Sequence, residues 1–579
     1  MRKNLFLVSI VLITSILLSS CRTDNRQGQG GATPTPKPVE LAVHVGSEPD
    51  TIDPTLNSAS DVATMLIHMF EGLTTLDKNG TPVYAQAESH TVSDDGLTYT
   101  FKLREGLKWS DGKPLTAHDF VYSWNRAISP ETGADYAYMF ECIEGYNEGK
   151  LNVTAPDDRT LVVKLVAVTP YFLELCAFPA FFPVRQDIVE ANPDTWTLKP
   201  ETYIGNGPYM LEEWVHDSYI LLKKNPNYWN ASSITGPDKI RFMLMSDDNA
   251  IMAAFKNGEI LFADSIPTDE IDAWKGRPEF NLQAQLGTYY ISFNVTKPPL
   301  NNPMVRKALV LAVDREYIVK NIGKAGQQPA GAFVPTGLFD VDPTKEFREV
   351  GGNYYDPSGE AYEANLREAK KLLADAGYPN GEGIPTIEYI YNEGTGHQLI
   401  AEALQSMWKE IGINVTLTSQ EWNTFLNTRK NGEYYMARNG WTADYNDPIC
   451  FLDMWITGGG NNDAQWSNAE YDELIRRIKS SSDRKERIEL MHKAEDILFD
   501  EWVVCPIYYY VDIYLKSEKL DGFYSSPLDT STLCILQSKN DRIYPATKFS
   551  TLLYRFKHGK AGSAERQTCF CSFFHFIIH

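Results

Sequence analysis

Signatures of catalysis are missing from these 579 residues. There is no HExxH, GxSxG, GxxxxGK[ST] or GxGxxG. Zinc proteolysis of that type, a serine elbow, a Walker phosphate cradle and a dinucleotide loop therefore have no foothold. Histidine is sparse, with ten residues scattered without metal-ligand spacing. The eight cysteines form no CxxC, and once Cys21 is set aside the odd remainder does not indicate a complete disulfide framework. Positive charge is short too: 54 Lys and Arg against 76 Asp and Glu, a net charge of −22. That argues against nucleic acid or an anionic membrane surface as partner, since both call for basic patches. After the N-terminus no apolar run is long enough to span a bilayer. "DFVYSWN" and "EWNTFLNTR" could supply carboxylates and stacking aromatics for a glycosidase, but a sequence does not measure the separation of two carboxylates.

What is present starts with "MRKN", a short basic region, and "LFLVSIVLITSILLSS", an apolar run of secretory length ending at Cys21. Leu-Ser-Ser-Cys resembles a bacterial lipobox, so residues 1–20 are expected to be a lipoprotein leader and Cys21 the lipidated residue. The following stretch, rich in Gly, Gln, Thr and Pro, buries too little to order itself, and 21–39 reads as a flexible tether. A lipid, a tether and a soluble body together imply a protein held at the cell membrane, facing the periplasm or the exterior.

The body is long for one core and calls for two or three lobes. "LTYTFKLREG" alternates with a period of two over Leu97, Tyr99, Phe101 and Leu103, and "DRTLVVKLV" does so over Leu161, Val163 and Leu165. "AHDFVYSWNRAI" between them reads as a helix. Ile400, Ala403, Leu404, Met407, Trp408 and Ile411 follow helical spacing, with Gly412 placed to end the helix. Alternation of this kind predicts α/β lobes. The tail 529–579 differs, with seven Lys and Arg against three Asp and Glu, and three of the eight cysteines. It either packs on the body or is a frameshifted or read-through end.

"RNGWTADYNDP", Arg438 to Pro448, sets Asp444 between Trp441 and Tyr445. A carboxylate among aromatics is costly unless something pairs with it. Spacing alone leaves three partners open: its own chain, a substrate undergoing chemistry, or an external cation.

"AESHTVSDDGLTYTFKLREGLKWSDGKPLTAHDFVYSW" (Ala87 to Trp124), "IGNGPYMLEEW", "NPNYW", "FNVTKPPLNNPMVRKALVLAVDREYIV" and "GWTADYNDP" resemble the extracellular solute-binding proteins of peptide ABC importers (family 5). The likeness runs from about Val45 to Leu528 and is greatest to oligopeptide-binding lipoproteins. It implies an α/β, type II periplasmic-binding-protein-like clamp of two lobes with an additional smaller domain. Lobe I would take 40–70, 195–295 and 512–528, the accessory domain 71–194 and lobe III 296–511, with crossings near Tyr289–Asn294 and Tyr508–Tyr514. It implies a non-enzymatic monomer without cofactor or metal, capturing extended peptides for a permease with ATPase subunits. By the same resemblance Asp444 meets the peptide α-ammonium. Trp441 and Trp422 line side-chain pockets, and Tyr510 lies near the second crossing. Arg429 and His397 meet the C-terminal carboxylate, while Asn392 and Asn461 add polar contacts. Arg438 is expected to keep Asp444 ionised and placed in the empty cleft. Thr442 stands where some relatives have cysteine. A same-fold binder of another solute (dipeptide, nickel complex, haem or oligosaccharide) and a surface chaperone, peptide sensor or hydrolase are the competing readings.

Overall fold

The computed structural model describes residues 39–78, 80–521, 523–525, 531–532 and 537–538. The expected leader, lipidated Cys21, the tether up to residue 38 and all but four residues of the 529–579 tail lie outside them.

Two long strands organise the chain, Phe280–Phe293 and Val504–Lys516. The first ends in a run buried on both faces: Tyr289, Tyr290, Ile291 and Phe293 are all at most 1 % exposed. Such continuous apolar runs mark interior strands. The two pair antiparallel from Phe280↔Leu515 to Ser292↔Val504, with register shifts after Ala284 and after Tyr289. Bulges of this kind bend a strand and increase its twist. Neighbours then divide along their length. Met436–Thr442 pairs only with residues 287–293 of the first strand, while Phe262–Ala263 pairs only with Leu515 and Lys516 of the second. Ile387–Asn392 and Val415–Gln420 extend the sheet beyond Met436–Thr442 by parallel pairing. Beyond Phe262–Ala263 follow Glu40–Gly46, Lys239–Leu244, Tyr219–Lys224 and Tyr209–Val215. Two groups of strands thus share one pair of backbones, which contains Tyr289–Phe293 of the first expected crossing and Tyr508–Tyr514 of the second.

A separate antiparallel sheet joins Ala87–Val92, Thr98–Leu103, Thr160–Lys164 and Val153–Asp157. The period-two reading holds in part here: Phe101, Leu103, Leu161, Val163 and Leu165 are buried, while Leu97 and Tyr99 are only partly so. Helix Ala117–Ala127 covers the sheet and starts with a capping box, Thr116 and Asp119, which satisfies two otherwise orphaned amides. Its Trp124 indole donates to the Phe181 carbonyl at 2.9 Å. Helix Thr395–Glu410 buries Ile400, Ala401, Leu404, Met407 and Trp408. Gly412, at φ +86°, lets the chain turn directly into Val415–Gln420.

Helix Arg484–Asp500 places Glu495 wholly inside the body. Its carboxylate accepts from the amides of Phe333 (3.1 Å) and Val334 (2.8 Å) and pairs with the buried Arg348. Removing one member of such a set strands the rest. Glu495→Ala should therefore lower unfolding free energy by about 3–5 kcal/mol. Denaturant titration followed by circular dichroism checks this, and a loss below about 1 kcal/mol would contradict it.

Candidate functional site

Between the two groups of strands lies a cleft of about 760 Å³, a size suited to ligands of several hundred daltons. Nine Asp and Glu but only three Lys and Arg line it. On one wall Asp264 pairs with the buried His44 at 3.1 Å, beside Asp61. Burial raises the Asp61 carboxyl to about 6, with the neighbouring Asp264 charge adding to the effect.

On the other wall Met436–Thr442 delivers Arg438 and Trp441, and the next turn delivers Asp444. Two neutral donors hold Asp444: the Tyr136 hydroxyl reaches Oδ1 at 3.5 Å, and the Cys450 thiol reaches Oδ2 at 3.8 Å. Among the described residues no Lys, Arg or His is in ion-pair range of it. Burial pushes its carboxyl well above the usual range, and the charge of Asp453 pushes the same way. Asp453 is itself nearly inaccessible and is answered by Lys479 at 3.1 Å, which also meets Glu141 at 3.0 Å.

The cationic candidates sort differently from expectation. Arg438 lines the cleft but does not serve Asp444. Its Nη2 donates to the Tyr510 hydroxyl at 3.2 Å, and its guanidinium lies 5.1 Å from the Tyr289 ring centre. No carboxylate pairs with it among the described residues. Its expected role of keeping Asp444 ionised is corrected accordingly: the charge acting on Asp444 is that of Asp453. Arg429 also lines the cleft but is occupied by Asp463 at 3.5 Å and by Asn439. His397 Nδ1 and the Tyr289 hydroxyl share a hydrogen bond of 3.2 Å. Burial, and after it the charge of Arg438, holds its pKa well below the usual value.

Trp441, Trp422, Tyr510 and Asn461 all face the cleft. The Trp441 indole donates to the Cys450 carbonyl at 2.8 Å, and Trp422 opens helix Trp422–Lys430. Asn392 is not among the lining residues; its amide donates to the neighbouring Glu393 carbonyl at 3.2 Å. Sequence reasoning missed Tyr136 and Cys450. "DYAYMF" and "PICF" carry no signal that either meets Asp444. No group of three or more His, Cys, Asp and Glu among the described residues could hold a metal ion, and no helix among them is long and apolar enough to cross a membrane.

Residues 81–463 match the model of the bacterial extracellular solute-binding proteins, family 5. The chain belongs to that family. It is 37% identical to the dipeptide-binding protein DppE of Bacillus subtilis over 91% of this chain and 97% of the relative. Among solved structures, Haemophilus influenzae OppA in complex with RPPGFSPFR superposes with a TM-score of 0.81 at 31% identity, covering 87% of this chain and 99% of that one. The murein tripeptide-binding protein MppA of Escherichia coli gives 0.80 at 31% identity, over 87% and 99% of the two chains. Its unliganded open form gives only 0.58, at 30% identity over 87% and 98%. The two-lobed type II clamp is thus the fold of this solute-binding protein, with its lobes set unlike that open form.

The stretch between residues 135 and 174 also meets the Asp444 wall. Tyr445 stacks on Tyr171 with centroids 4.3 Å apart, the Asn446 amide donates to Glu174 at 2.7 Å, and Lys430 pairs with Asp135 at 2.7 Å.

Asp444 also ties stability to pH. Its raised folded pKa means that the native state holds a proton the unfolded chain has lost. Stability therefore falls as pH climbs from the unfolded value near 3.9 toward the elevated folded one. Asp444→Asn removes the cost, so thermal unfolding of the empty protein should favour the variant increasingly as pH rises through that window. Parallel curves for the two chains would contradict it.

Proposed function

We propose that this solute-binding protein captures extended peptides in the interlobe cleft and hands them to the permease of an ABC importer. The observation that carries the reading is Asp444: a carboxylate in the cleft wall, held by two neutral donors and, among the described residues, lacking a cation. A peptide supplies that cation at its α-ammonium, charged near neutral pH. At the other end, Arg438 carries, among the described residues, a cleft-facing positive charge without a carboxylate partner and receives the peptide's C-terminal carboxylate. Arg429, already engaged by Asp463, and His397 act in support. The peptide backbone between them is hydrogen-bonded much as an added strand, and Trp441 and Trp422 form walls for side chains.

In this reading the lobes are 40–70 with 195–295 and 512–528, and 296–511, flanked by the accessory domain 71–194. The protein is a monomer, lipid-anchored through Cys21, and performs no chemistry. Import is powered by the ATPase subunits of its partner, and closure follows from ligand contacts made with both lobes.

Native mass spectrometry of the purified protein should show co-purified masses in the peptide range. Asp444→Ala should weaken free-amino peptides by about 3–5 kcal/mol, two to four orders of magnitude in Kd. Arg438→Met should discriminate least against C-terminally amidated peptides, which have no carboxylate to lose. Calorimetry with matched free and amidated peptides measures both, and near-normal affinity in Asp444→Ala would sink the assignment.

A further inference from the structure

We infer that Cys450 is the positioning residue of the ligand-ammonium site. Its sulfur sits at the closure of the loop Asp444–Cys450 and acts in two directions. It accepts the Asp444 backbone amide at 3.1 Å, and its thiol reaches back to the Asp444 carboxylate at 3.8 Å. Its carbonyl meanwhile takes the Trp441 indole N–H at 2.8 Å. One residue thereby fixes the backbone, the carboxylate and the flanking aromatic wall of the site.

The loop is built to hold this geometry. The Cys450 amide donates to the Asp447 carbonyl at 3.0 Å, and Asp447 is anchored by Arg487 at 3.2 Å. Cys450 is only 1 % exposed, and burial with the adjacent Asp444 charge keeps it a thiol, so it remains a donor. A thiol donor suits the position better than a cation would: it orients the carboxylate but leaves its charge for the incoming ammonium.

The inference rests on Asp444 being the ammonium partner, and the test separates the two. In the full chain, Cys450→Val keeps the volume and loses the hydrogen bonds; Cys450→Ser keeps a donor and an acceptor. Affinity for a free-amino tripeptide is measured by calorimetry across pH, beside Asp444→Ala. The groups facing Asp444 are Tyr136, Tyr138, Asp453 and Cys450, and the Cys450 variants alter only the last. Cys450→Val should lose about tenfold in affinity, as expected for a lost hydrogen bond to a charged group. The pH below which binding fades should move upward, because the carboxylate loses a donor that favours its ionised form. Cys450→Ser should restore both the affinity and the midpoint. Equal behaviour of Ser and Val, or an affinity loss with an unmoved midpoint, overturns the inference and assigns Cys450 to packing. Normal binding by Asp444→Ala overturns instead the reading on which it rests.

Discussion

A carboxylate kept out of water without a counter-cation is the constraint around which this cleft is built. In isolation Asp444 would be costly to ionise. The fold does not relieve this with its own arginine, although Arg438 is only six residues away in sequence. The strand carries that guanidinium to Tyr510 and Tyr289 instead. Among the described residues neutral donors alone serve Asp444, and Asp453 adds an opposing negative charge that Lys479 balances. Such an arrangement leaves binding free energy to be gained when an external cation arrives, which is what a capture protein needs and an ordinary core does not.

The same logic separates the other charged residues. Arg429 and Asp463 satisfy each other, so moving a ligand carboxylate onto Arg429 exchanges one partner for another. Arg438 loses only neutral tyrosine contacts. The difference between these two arginines cannot be read from their types, because both are cleft-lining arginines nine residues apart.

Much of the site was nonetheless legible in the chain. Asp444, Trp441, Trp422, Tyr510, Asn461, Arg429, Arg438 and His397 all line the cleft, and the resemblance of long motifs carried them there. Strands with a clean period of two and helices with glycine stops were legible from local physics alone. What escaped came from through-space contact. Tyr136 lies over three hundred residues from Asp444 and meets it only because the chain folds the Tyr136 segment across the cleft. Asn392 failed for the converse reason: it ends a strand of the right sheet, yet its amide turns to its neighbour. The buried runs of Tyr289–Phe293 and Val504–Tyr508 read as core in any domain, so their service to two groups of strands needed the pairing registers.

On the proposed reading, occupancy reaches the lobes through the residues that follow Asp444. Asp444 faces the cleft, while the next two residues grip the 171–174 segment: Tyr445 stacks on Tyr171, and the Asn446 amide binds Glu174. Any force that fixes Asp444 fixes the base of that grip. A ligand shifts a two-state equilibrium only by its differential affinity for the two states, and here the differential is structural. The Tyr136 contact to Asp444 and the Tyr445 contact to Tyr171 both join the Asp444 loop to the same 136–171 stretch of chain. On the proposed reading, ligand contact at Asp444 and the contacts of Tyr445 and Asn446 with Tyr171 and Glu174 are coupled through three consecutive residues.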